Sequence, residues 1–158
     1  MIVLESAETT AARAESGLAV DVRLEQDSHS TTVFLPLEVP GRGSISVEVD
    51  MGSDRLILDE ALADDLGISL GSASTQMIKG RDETGHEYVR YFTSLEGVVS
   101  VTGAPSICQA DPKVMFQKII YDGLVGDAFL KNFVVTYDLP NARMIFGPVQ
   151  APPGNGAT

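Results

Sequence analysis

Tryptophan is absent from this chain of 158 residues, cysteine occurs once and histidine twice. With Cys108 alone, no disulfide closes within the chain and no thiolate cage for a metal can be built from it, so the residue reads as a small buried apolar side chain in a strand. His29 falls in the polar run Gln26-Asp27-Ser28-His29-Ser30, and His86 in a glycine-punctuated stretch; both are expected as solvent-facing loop residues. Two such histidines, with no Gly-x-Ser-x-Gly elbow, leave a serine or zinc hydrolase without its base or its ligands. No metal site and no cofactor is expected.

Basic residues are scarce as well: 11 Lys and Arg stand against 22 Asp and Glu, for a formal net charge of -11. Phosphate backbones and anionic membrane surfaces need clustered cations, so nucleic acid and such membranes are excluded as expected partners. No apolar run is long enough to cross a bilayer, and Met1-Ile2-Val3-Leu4 lacks the length and the basic flank of a secretory signal, so no membrane insertion is expected of this chain. A cytoplasmic address follows if this is the whole protein, and a periplasmic or membrane-tethered one if it is part of a longer chain.

What is present is an ordinary globular composition, 44% hydrophobic and 21% charged, in a length that suits one domain. Residues 1–17 read as an N-terminal extension, either helical or outside the core; 18–149 form the domain; 150–158, rich in Pro and Gly, read as a flexible tail. Leu18 to Glu25 alternates as a strand. Val33, Leu35, Leu37 and Val39 share one face of the next, where Pro36 removes a ladder donor and suits an edge or a bulge. Pro40-Gly41-Arg42-Gly43 turns the chain, and Ile45, Val47 and Val49 alternate back. Gly41-Arg42-Gly43 joins two strands with no helix behind it, so it is a turn and not a phosphate loop.

That hairpin delivers Asp50, followed by Met51-Gly52-Ser53-Asp54 and a short strand Arg55-Leu56-Ile57-Leu58. A carboxylate is thus placed on a turn just past a half-buried strand. Asp59 is expected to cap a helix through Asp65 or Leu66, with Leu62 and Leu66 facing inward, Gly67 ending it, and Asp64 and Asp65 on a solvated face. Asp65-Leu66-Gly67 repeats the Asp-x-Gly pattern but reads as that helix's end. Gln76 to Tyr88 reads as a long hairpin with its tip at Asp82 to Gly85. Strands are expected at Tyr88 to Leu95, Gly97 to Val101 and Pro105 to Gln109. Ile119-Ile120 leads into Tyr121-Asp122-Gly123-Leu124-Val125-Gly126, a short helix follows from Asp127 to Phe133, and a terminal hairpin turns at Leu139-Pro140-Asn141-Ala142.

The hairpin before Asp50, the strand and helix after it, and the later Leu124-Val125-Gly126 segment together resemble the single-domain, retropepsin-like aspartic peptidases, over roughly Thr32 to Gly147 and closer to the cellular or bacterial branch than to the viral one. The resemblance implies an all-β fold, a closed retropepsin-like barrel with one or two short helices. It implies a homodimer in which Asp50 from each chain is catalytic, since two carboxyls held close cannot both ionise: one activates water while the other protonates the substrate carbonyl. Met51 and Gly52 complete the active-site loop. Ser53 and Asp54 align with positions lining a peptide or protein substrate, and the hairpin carrying Gly80 and Gly85 matches the substrate-binding flap by position. Leu124, Val125 and Gly126 form the family's second motif. Met51 stands where the family has a hydroxyl residue bracing the two loops across the dimer, and a thioether cannot make those bonds. That departure supports a second reading, a weakly active or inactive retropepsin-like module for dimerisation or peptide binding. A second departure is Asp127, which stands after the second-motif glycine where viral members have a basic partner for Asp54.

Overall fold

Strict alternation decides the central hairpin. Thr31–Val39 and Gly43–Val49 pair antiparallel with Leu35 opposite Val47 and Leu37 opposite Ile45, so one face of both strands is buried. Gly41 and Gly43, at φ +82° and +83°, make the turn. The structure, a computed structural model, describes residues 5–148; the opening Met1 to Leu4 and the tail expected at 150–158 lie outside the described residues.

In chain order the elements are α1 (Ala7–Ser16), β1 (Leu18–Asp21), β2 (Arg23–Gln26), the hairpin strands β3 (Thr31–Val39) and β4 (Gly43–Val49), β5 (Leu56–Asp59), β6 (Gln76–Arg81), β7 (Glu87–Ser94), β8 (Val98–Val101), β9 (Ala104–Ala110), β10 (Lys113–Gln117), β11 (Gly123–Val125), α2 (Asp127–Leu130), β12 (Phe133–Asp138) and β13 (Arg143–Pro148). The larger sheet runs β6-β7-β10-β5-β11-β4-β3-β8-β9, with β2 also on β3, and a smaller one runs β1-β13-β12. The protein is predominantly β, as the sequence predicted. Its central strands bury Leu35, Leu37, Val47, Leu58, Phe116 and Val125 in one core. Burying each such side chain contributes roughly 1.5–3 kcal/mol.

Several elements depart from expectation. The stretch Leu18 to Glu25 is two strands: β1 joins β13 in the small sheet and β2 joins β3 in the large one, with the break at Val22, whose N–H donates to the Ala142 carbonyl at 2.9 Å. The helix expected after Asp59 is a single 3-10 turn at Glu60–Leu62. Asp59 does cap it, accepting from the Ala61 N–H at 3.0 Å, but in this stretch only Ala63 is fully buried and Leu66 packs partly against the core, too little apolar surface to hold a longer helix. The C-terminal helix also stops early. α2 spans Asp127–Leu130 and Phe133 begins β12, still packed inward against Phe129 and Phe146 with ring centroids 5.8 and 5.7 Å away.

Strand β10 was not anticipated. It lies parallel to β5 and antiparallel to β7, and Val114, Met115 and Phe116 are buried in succession. Ile119 and Ile120 are not part of a strand; Ile120 is 88% exposed. Pro36 lies inside the large sheet, yet in a gap: β2 pairs with β3 only as far as Phe34 and β8 begins at Leu37, so the missing N–H falls between two partners. Phe34, on the opposite face from Leu35, is covered by the Arg23 guanidinium 3.8 Å above its ring and by Tyr121 edge-on at 4.8 Å. Cys108 is half-buried rather than buried, opposite Ser100 on the β8–β9 ladder.

Candidate active site

The loop bearing Asp50 is built from backbone bonds. β4 carries the chain to Asp50, whose N–H donates to the Val125 carbonyl at 3.0 Å, while the Asp50 carbonyl accepts from the Ser53 N–H at 3.1 Å. The Asp50 side chain caps its own turn, with Oδ1 accepting from the Gly52 N–H at 2.8 Å, and Oδ2 has no protein partner among the described residues. One carboxylate oxygen is therefore fixed by the loop and the other is available. Met51, on the same loop, is 57% exposed and Gly52 is also exposed.

The segment Leu124-Val125-Gly126 lies directly against this loop. β11 pairs parallel with β4, Gly123 opposite Val47 and Val125 opposite Val49, and antiparallel with β5. Asp122 secures the approach: its Oδ2 accepts from the Ser46 N–H and its carbonyl from the Asp59 N–H, both at 2.9 Å. Close approach then dictates glycine. A Cβ on Gly123 would stand 2.5 Å from the Ile57 carbonyl oxygen, and one on Gly126 would stand 2.2 Å from the Ser53 carbonyl oxygen. Past Gly126 the first N–H groups of α2 turn back onto the loop, Asp127 donating to the Ser53 carbonyl at 2.8 Å and Ala128 to the Asp54 carbonyl at 3.1 Å. Two segments far apart in sequence thus form one rigid unit under Asp50.

Ser53 is half-buried and its hydroxyl donates to the Arg55 carbonyl at 3.1 Å, so it braces the loop. Asp54 is exposed and held bidentate by Arg55, with Nε and Nη2 each 2.8 Å from a carboxylate oxygen. The hydrogen bonds from Arg55 hold the Asp54 carboxyl below its ordinary range, and those to Asp54 raise the Arg55 guanidinium. The basic partner that Asp127 cannot supply comes instead from the next residue in sequence. Asp127 itself lies 3.8 Å from the Lys131 ammonium.

Gly80 and Gly85 lie in the β6–β7 hairpin as expected. Gly80 accommodates the Tyr88 ring, where a Cβ would come within 2.6 Å of the phenol, and Arg90 in turn covers Tyr88 at 4.2 Å and donates to Gln117 Oε1 at 2.7 Å. Gly85, at φ +86°, forms the tip. There Asp82 Oδ1 accepts from the Thr84 hydroxyl and from the N–H groups of His86 and Thr84, and these bonds, the Thr84 hydroxyl's first, lower the Asp82 carboxyl. The hairpin meets the Asp50 loop through Arg55, whose guanidinium lies 5.3 Å from the Phe92 ring centroid on β7.

Two residues near the loop escaped the sequence reading. Glu48 stands near the end of β4, two positions before Asp50, and its carboxyl is raised by burial first, then by the charges of Asp50 and Glu25. Its position in the alternation was the available signal. Arg55 was visible only as the start of a strand, although an arginine directly after Asp54 is placed to pair with it. Among the described residues no three His, Cys, Asp or Glu side chains converge as a metal site, and no helix is long and apolar enough to cross a membrane.

No protein-family model matches the chain, and no curated protein sequence does. Among solved structures the fold is similar to a retropepsin-like aspartic protease from Rickettsia conorii, at 16% identity and a TM-score of 0.59, over 84% of this chain and 94% of that one. The fold is therefore retropepsin-like.

Proposed function

We propose that this retropepsin-like chain is an aspartic endopeptidase that works as a homodimer. The observation that carries the reading is the seating of the Asp50 loop on Val125 and Gly126, which fixes one carboxylate oxygen and leaves the other without a protein partner. One chain supplies one such loop. A second copy, related by a two-fold axis through the loops, supplies the second carboxylate. The ionised Asp50 takes a proton from water as its oxygen attacks the peptide carbonyl carbon, and the protonated Asp50 gives its proton to the carbonyl oxygen. Collapse of the tetrahedral intermediate breaks the C–N bond, and the amine leaves with a proton returned by the pair. The β6–β7 hairpin acts as the flap, Ser53 and Asp54 line the substrate channel, and Met51 faces the partner.

The competent pair holds a single proton, so cleavage is expected to fall as rising pH removes it. Sedimentation tests the assembly: a dimer at micromolar concentration supports the reading, and a chain that stays monomeric at high concentration, with and without a substrate-like peptide, removes it. A second reading is a dimerisation or peptide-binding module with weak or no turnover. It rests on Met51, an exposed thioether at the position where a hydroxyl would bond across the axis.

A further inference from the structure

A groove of about 420 Å³ opens between Arg55, the two hairpin strands and the start of β10. Its charge is opposite to that of the protein. The chain carries 22 acids against 11 bases, yet the groove is lined by Arg55 and Lys113 and by no carboxylate. Lys113 is exposed, lies opposite Ser94 on β7, and makes no ion pair among the described residues. Arg55 is oriented by its two bonds to Asp54, and its Nη1 has no protein partner among the described residues. Ile78 and Phe92 add an apolar surface, and Ser94 and Gln76 add neutral hydrogen-bonding groups. A short aliphatic stem ending in an anion matches this lining: the stem lies on Ile78 and Phe92, and the charge meets the Lys113 ammonium and the remaining Nη1 donor of Arg55, whose own charge Asp54 partly offsets.

The groove is also near the proposed chemistry. Arg55 follows Asp50 by five positions, a span of at most about 17 Å. An extended peptide advances roughly 3.3 Å per residue, so a substrate residue in the groove lies within about five positions of the scissile bond. Resting on the peptidase reading above, we propose that this groove is a subsite selecting a glutamate or aspartate side chain of the substrate. In a symmetric dimer it recurs on both sides of the cleaved bond.

The test uses acetylated, amidated peptides, which exclude a terminal carboxylate as the ligand, with Glu, Gln or Lys substituted at each of five positions on either side of the cleavage site. Wild type is expected to favour Glu over Gln at one or more positions by about fivefold in kcat/KM, the scale of one partly exposed charge pair, and the preference should shrink with salt. Lys113→Glu is expected to reverse it toward Lys, a gain that a merely misfolded variant would not show. Binding of the same labelled peptides to the Asp50→Asn protein is read by fluorescence anisotropy, so the subsite is tested even where nothing is cleaved. Preference for Glu in binding to Asp50→Asn, with none of these peptides cleaved by the wild type, supports the groove and counts against the peptidase. Cleavage or binding that is indifferent to Glu, Gln and Lys, or a preference for Glu that Lys113→Glu leaves intact, overturns the subsite while leaving the peptidase reading to stand on its own test.

Discussion

Replacing Gly126 by alanine is expected to do more damage than its single methyl suggests. The added Cβ would stand 2.2 Å from the Ser53 carbonyl oxygen, 2.7 Å from its carbon and 3.0 Å from the Arg55 carbonyl oxygen, all backbone atoms with no rotamer by which to retreat. The φ of Gly126, -114°, is open to any residue, so the cost is one of space and not of backbone conformation. Overpacking of this kind costs about 1–3 kcal/mol. The loop can yield only by lengthening the bonds from Asp127 to the Ser53 carbonyl and from Ala128 to the Asp54 carbonyl, now 2.8 and 3.1 Å. Each is worth about 1 kcal/mol. A loss of roughly 3 kcal/mol is expected, or a fall of about 6–12 °C in Tm for a chain of this size. Urea unfolding of Gly126→Ala beside Gly71→Ala, where a Cβ meets nothing within 4 Å, checks it. If the two variants are equally stable, the two segments are not locked as described and the loop is softer than this account requires.

Two further outcomes follow from other parts of the structure. Met51→Thr is expected to tighten dimerisation, about fivefold in Kd for each hydrogen bond of about 1 kcal/mol formed across the axis, and to raise any cleavage; weakening of both would mean the loop has adapted to the thioether. Asp138, 4% exposed but covered by its own turn rather than by the depth of the core, accepts from Asn141 at 2.9 Å and from Arg143 at 2.6 Å, and these bonds, Asn141's first, lower its carboxyl. Because the folded value is the depressed one, this stabilisation is present above the unfolded pKa near 4 and lost as pH falls through the folded value. Asp138→Asn, which sets a third donor against two, is expected to cost about 1–2 kcal/mol at pH 7, discounted for water reaching Arg143, with the gap to wild type closing in acid; a gap independent of pH would refute the charge argument.

The parts of the fold legible in the sequence are those where one face is buried and the other wet. The β3–β4 hairpin shows its alternation openly, and the β6–β7 and β12–β13 hairpins are marked by turn residues at their tips. β10 was hidden because it is covered on both faces: Val114-Met115-Phe116 shows no period of two, and Asp111-Pro112 before it reads as punctuation. The helix expected after Asp59 had a good cap and a good terminating glycine but too little apolar surface between them. In the candidate site, Asp50 and the Leu124-Val125-Gly126 segment were legible as motifs, and the structure brings them into contact. The pairing of Asp54 with Arg55 is between adjacent residues and was open to a local reading, whereas the basic groove made by Arg55 and Lys113 depends on how β5 and β10 sit against the hairpin, which no local pattern encodes.

The most direct test of the peptidase reading is peptide cleavage by wild type and Asp50→Asn side by side, using an unbiased peptide mixture from pH 3 to pH 8 with products read by mass spectrometry. Wild type is expected to cleave best in acid, and Asp50→Asn to lose at least about a hundredfold in rate, the scale of a general acid–base contribution. Cleavage by Asp50→Asn at the full wild-type rate, or wild-type cleavage abolished by a metal chelator, would contradict the assignment of Asp50 as the catalytic carboxylate.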